Sequence, residues 1–125
     1  SHKIILYFFL YCHNLNIINI YLLYMLNKRK EPMKKEITLK FYDNESHGYI
    51  KISKYDLMAF EIDIKDFSKY SYYNHDDGCY YFEEDCDATL LIDKLNDNGY
   101  KVNFDTKHVD CYYFDKPIFS RINVA

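Results

Sequence analysis

Two groups of residues in this chain of 125 have the types and spacing to do chemistry. The first is Glu83-Glu84-Asp85-Cys86-Asp87, a run of carboxylates around one thiol, with His47 as a candidate partner from elsewhere. Carboxylates this close could hold a divalent cation, but the run lacks the Asp-x-Asp-x-Asp-Gly spacing of a calcium loop. The other option is a nucleophile and base formed by Cys86 and His47. A helix N-terminus would lower the thiol pKa, whereas flanking carboxylates disfavour the thiolate and raise it. No third orienting residue or oxyanion loop accompanies the pair. A structural reading needs less: acids ahead of Ala88 cap a helix and complement its dipole. Cys86 lies four residues before Leu90, close to one helical turn. It is therefore expected to be buried and reduced, sealing the edge of the core while the acids face water.

The second group is His75, Cys79, Cys86, His108 and Cys111. The spacings His75-x3-Cys79 and His108-x2-Cys111 would tolerate zinc, but the paired Cys-x2-Cys of a zinc site is absent. No metal or other cofactor is expected. His47-Gly48 reads as a glycine needed for its backbone conformation beside a histidine at a sheet edge, with ligand contact by His47 as the alternative. There is no phosphate-binding glycine loop, Ser-His-Asp pattern or nucleotide fingerprint, so the expectation is a protein that is not an enzyme.

The elements that would position these residues follow from periodicity. Glu36–Tyr42 alternates Ile37, Leu39 and Phe41 with polar neighbours, and Gly48–Ile52 alternates again after the polar turn Asp43–Ser46, predicting a hairpin. Ser53 followed by Asp56 opens a short helix to about Phe60. Tyr70–Tyr73 and Cys79–Phe82 read as strands joined by Asn74–Gly78, where Asp77-Gly78 is a hairpin signal. Leu90, Leu91 and Leu95 stripe a helix over Ala88–Asn98, which Asn98-Gly99 ends. Tyr100, Val102 and Phe104 alternate in a fifth strand. Val109–Phe114 would add a further short one, and a tail begins at Pro117. The expected fold is α+β: a small antiparallel or mixed sheet of about five strands, with one short and one longer helix in ββαββαβ order, preceded by an apolar N-terminal helix.

Residues 1–32 stand apart. They hold Lys3, Lys28, Arg29, Lys30 and Glu31, leaving 12 basic and 18 acidic groups, a net charge of −6, from Met33 onward. An acidic domain repels a phosphate backbone, so direct nucleic-acid binding is not expected and a protein partner is. Ile4–Leu26 is long enough to span a bilayer, with Lys28-Arg29-Lys30 on the cytoplasmic side, yet His13, Asn14, Asn16 and Asn19 fall near its middle. Of the 32 residues, 24 are Phe, Tyr, Ile, Asn, Lys or Leu, the output of AT-rich DNA read in an arbitrary frame. Lys28–Glu31 can be written in purine codons like a ribosome-binding site, and Met33-Lys34-Lys35 resembles a bacterial start. The expectation is an apolar leader over 1–32, either untranslated upstream sequence or a helical extension, and one α+β domain over 33–125. A membrane role would require the leader to be translated. Four cysteines, three of them after Met33, with no cleavable signal, predict reduced thiols in the cytoplasm.

The domain from Met33 holds 11 Tyr and 7 Phe. A domain this small buries only about two thirds of its unfolded surface, so some rings must reach solvent and favour a contact surface. The expected binding residues are Tyr70, Tyr72, Tyr73, Tyr80, Tyr81, Glu83, Glu84 and Asp85. Taken together, His47-Gly48-Tyr49-Ile50-Lys51-Ile52, Tyr70-Ser71-Tyr72 and Tyr81-Phe82-Glu83-Glu84-Asp85-Cys86-Asp87 resemble a pattern in small uncharacterised proteins of phages, plasmids and integrative elements. The resemblance covers about residues 40–105. It implies an accessory protein of a bacterial mobile element, of a kind often concerned with host defences.

Overall fold

A computed structural model describes residues 15–29 and 35–124. By its contacts the chain divides between Pro32 and Met33 into two units. In the first, helix α1 spans Leu15–Arg29, and Ile20, Leu22 and Leu23 are exposed. Among the described residues no helix is long and apolar enough to cross a membrane. Much of the apolar run Ile4–Leu26 lies outside the described residues.

The second unit is an α+β fold on a six-stranded mixed sheet. Its elements are β1 Lys35–Asp43, β2 Gly48–Ser53, α2 Lys54–Ala59, β3 Tyr72–Asn74, β4 Cys79–Glu83, α3 Thr89–Asp97, β5 Tyr100–His108 and β6 Phe119–Arg121. Single 3-10 turns lie at Ile64–Asp66 and Tyr113–Asp115, and a π-helical turn covers Glu84–Ala88. The strand order is β5-β1-β2-β4-β3-β6, with β1 and β5 parallel and every other pair antiparallel.

Local chemistry sets the boundaries. The Ser53 side chain accepts the Asp56 N–H at 3.0 Å and opens α2. Gly78 and Gly99 take positive φ of 68° and 87° at the β3–β4 loop and beyond α3, backbone that glycine adopts without a Cβ clash.

The central strands β2 and β4 are covered on both faces. On one, Leu39, Ile50, Ile52 and Phe82 pack with Leu57 of α2, Leu91 and Leu95 of α3, and Phe67. Complete burial of a side chain such as Leu91 stabilises by about 1.5–3 kcal/mol. On the other, Tyr42, Tyr49, Cys79 and Tyr81 pack with Phe114 and Phe119. This second core corrects two expectations. Val109–Phe114 is not a strand: between β5 at one edge and β6 at the other, the chain places Val109, Tyr113, Phe114 and Ile118 against this face. The segment after Pro117 is not a tail either, because Phe119–Arg121 pairs with β3 as the sixth strand.

Candidate functional site

The antiparallel register of β2 and β4 sets Tyr49 opposite Glu83, so His47, just before β2, meets the turn that follows β4. That turn supplies Asp85 and Cys86. Pairing of β3 with β6 sets Arg121 opposite Tyr72 and brings in Tyr70 from just before β3. His47, Tyr49, Tyr70, Glu83, Asp85, Cys86 and Arg121 line one open cleft of about 210 Å³.

Each carboxylate of the acidic run has a different task. Glu83, 5% exposed, accepts the Cys86 N–H at 2.8 Å and caps the π turn, while its other oxygen lies 3.5 Å from His47 Nδ1. Glu84 Oε1 accepts the Gly48 N–H at 3.0 Å. Asp87 turns fully inward, accepting the Ser68 N–H, the Ser68 hydroxyl and the Ser71 hydroxyl. Asp85 is exposed. Acids that all face water and jointly cap the helix are therefore not what forms: Glu83 alone caps, and Glu83 and Asp87 are buried.

Cys86 is exposed, not buried. Four residues before Leu90 shares its face only in an α-helix, and the π turn over Glu84–Ala88 changes that phase. Desolvation first, then the Glu83, Asp87 and Asp85 carboxylates, push its thiol pKa up. His47 and Cys86 share no hydrogen bond; the His47 ring faces Glu83 instead. The geometry thus works against a thiol nucleophile.

The scattered zinc set does not assemble. Cys79 is buried, His75 Nε2 lies 2.8 Å from the Ser120 hydroxyl, and His108 lies 3.5 Å from Asp43. Among the described residues, His47, Glu83 and Asp85 do come together, each offering one donor atom, all within 4.8 Å of one another.

The expected aromatic surface is mostly consumed in packing. Tyr81 is fully buried, and its hydroxyl donates to Asp77 Oδ2 at 2.7 Å. Tyr72 stacks on Phe114 and carries the Arg121 guanidinium 4.2 Å above its ring. Tyr73 and Tyr80 are partly buried against the first core. Of the expected contact residues, Tyr81 is thus closed to a partner and Glu83 is reached only through the cleft, while Tyr70 (50% exposed), Glu84 and Asp85 remain open. Tyr49 and Arg121 were missing from the expected set. The alternation of β2 could have flagged Tyr49, but nothing in the tail sequence announces that Arg121 pairs beside Tyr70.

Arg121 Nη1 donates to the Tyr70 carbonyl at 2.7 Å, which fixes the guanidinium within the fold. Compared with known proteins, the chain matches no family model, no curated protein and no solved structure.

Proposed function

We infer that the domain from Met33 is a non-enzymatic protein-binding module. Its setting is the bacterial cytoplasm, as an accessory protein of a mobile element that inhibits a host defence. Its docking point is the cleft between His47 and Arg121, which takes a basic side chain of the partner. One observation carries this reading: the cleft joins the half-exposed Tyr70, whose ring already lies under the Lys69 ammonium at 5.7 Å, to the Glu83 and Asp85 carboxylates, while the Arg121 guanidinium is held in place by the Tyr70 carbonyl and the Tyr72 face. An aromatic wall beside carboxylates suits a guanidinium or ammonium group. The net charge of −6 steers a basic partner toward the domain. The test is affinity capture from host lysate with the wild type, Tyr70→Ala and Asp85→Lys, alongside calorimetry with an arginine-rich peptide. Specific capture and peptide binding that both variants abolish support the reading. Capture of nothing, or capture indifferent to both variants, counts against it.

A second reading has one observation in its favour, the His47, Glu83 and Asp85 donor set. One imidazole and two carboxylates suit a divalent ion such as zinc or manganese, and a small metal-dependent enzyme could be built on them. Elemental analysis of protein purified without chelator decides: stoichiometric metal lost on Asp85→Asn supports this reading, and metal-free protein that binds neither ion removes it.

A further inference from the structure

β5 forms one edge of the sheet. It pairs with β1 along all nine of its residues, and among the described residues no strand pairs with its outer edge. Alternate residues along Tyr100–His108 therefore point backbone N–H and C=O groups outward without a strand partner. The second half of β5, from Phe104 to His108, is exposed, and Phe104 itself is 44% exposed although its ring contacts Phe41. Long open edges of this kind are the ones that proteins cover or that recruit another strand.

We propose that this edge binds a second copy of the same chain. The two β5 strands run antiparallel about a twofold axis at Asn103, joining two six-stranded sheets into one. The sequence of the edge argues for this occupant. A twofold axis perpendicular to the sheet sets each residue opposite another on the same face, so every register is a fixed list of pairs. With the axis at Asn103, Lys101 opposes Asp105 of the second copy and Asp105 opposes its Lys101. Val102 opposes Phe104 in the same doubled way, and Tyr100 opposes Thr106. Opposite charges and aromatic–β-branched pairs are the combinations that stabilise directly opposed positions.

The neighbouring registers lack this match. With the axis at Phe104, Lys101 opposes Lys107 and Asn103 opposes Asp105. With the axis at Val102, Lys101 opposes Asn103 and Asp105 meets Gly99, so no charge is paired. The chosen register also continues the core: Val102 packs against the first core, and Phe104 lies on the same face. Each exposed Phe104 would be covered by Val102 of the other copy. The contact of Lys101 with Glu36 of its own copy, at 4.0 Å between exposed side chains, is a weak competitor.

The test is sedimentation velocity on the full chain across a concentration series, with circular dichroism to confirm that each variant is folded. Wild type is expected to dimerise. Lys101→Asp and Asp105→Lys should each weaken the dimer about tenfold or more, since twofold symmetry turns one substitution into two like-charge pairs. The double variant K101D/D105K should restore it. A wild type that stays monomeric up to its solubility limit overturns the proposal. So does a dimer indifferent to the single changes, a double variant that fails to rescue, or a dimer tightened by K101D, which is the signature of the Phe104 register. None of these residues lines the cleft, so the outcome is independent of the partner-binding reading.

Discussion

Glu84 Oε1 accepts the Gly48 backbone N–H at 3.0 Å, tying the turn after β4 to the first residue of β2. A Cβ at Gly48 would meet Phe41 Cζ at 2.0 Å and Glu84 Oε2 at 2.9 Å. Gly48 does not have a positive φ, so the reason for glycine here is space under the Phe41 ring and not the backbone conformation that the sequence suggested. Gly48→Ala should destabilise by about 2–3 kcal/mol, the scale of a forced overpacking. Phe41→Leu in the same chain should recover part of that loss. Urea denaturation measures both; a Gly48→Ala protein within about 0.5 kcal/mol of wild type would show that the ring moves aside freely.

The buried Asp87 carboxylate holds the segment before β3 against the start of α3 through Ser68 and Ser71, and the Ser71 hydroxyl also accepts the Glu83 N–H at 2.9 Å. Asp87→Ala leaves three donors without their acceptor in a partly to fully buried site and should cost about 3 kcal/mol. Asp87→Asn keeps the shape, and its amide oxygen can still accept from both hydroxyls, but an NH2 group replaces the oxygen that accepts the Ser68 N–H, so it should cost about half as much. Equal stability of wild type and Asp87→Ala would mean that water replaces the carboxylate.

Five of the six strands, both helices of the second unit and the hairpin loops are legible because their signals are local: alternation in β1 and β2, Ser53 ahead of α2, and left-handed glycines at Gly78 and Gly99. What was not legible depends on distant partners. β6 is only three residues long, and its pairing with β3 reaches back across about half of the domain. The inward turn of Asp87 depends on Ser68 and Ser71, 19 and 16 residues earlier. The surplus of tyrosine suggested a surface because a one-core sheet cannot bury so many rings. The segment crossing the far face supplies a second core, where Phe114 takes in Tyr49 and Tyr72.

Cys86 combines exposure with a raised thiol pKa, so its accessibility should not translate into reactivity. Labelling by a thiol reagent near neutral pH, followed residue by residue by mass spectrometry, should be slower in the folded chain than in urea. Asp85→Asn should speed it, by removing one carboxylate that disfavours the thiolate. Cys86→Ala should change stability by less than about 0.5 kcal/mol, as for an exposed side chain. Folded-state labelling faster than in urea would contradict this account and bring thiol chemistry back into the cleft.

The second core makes the fold sensitive to alkali. Burial above all, with Tyr72 and the Glu83 and Glu84 carboxylates adding and Arg121 opposing, pushes the Tyr49 hydroxyl up to about 12. Tyr81 is raised as well, by burial first and then by its hydrogen bond to Asp77. In the unfolded chain a tyrosine releases its proton near pH 10. Between about pH 10 and 12 the unfolded state therefore binds fewer protons than the folded one, and stability falls as pH rises. Below that window this contribution is fully present. Urea midpoints should accordingly hold level, as far as these groups are concerned, up to about pH 9 and drop beyond about pH 10. Tyr49 makes no hydrogen bond through its hydroxyl, so Tyr49→Phe should be within about 0.5 kcal/mol of wild type at neutral pH. The variant should lose stability less steeply above pH 10, because it has no proton to give up. Lysines titrate in the same range but are common to both chains, so the difference between the two curves isolates the tyrosine. Parallel curves for wild type and Tyr49→Phe through the alkaline range would show that Tyr49 ionises in the folded protein as readily as in the unfolded one.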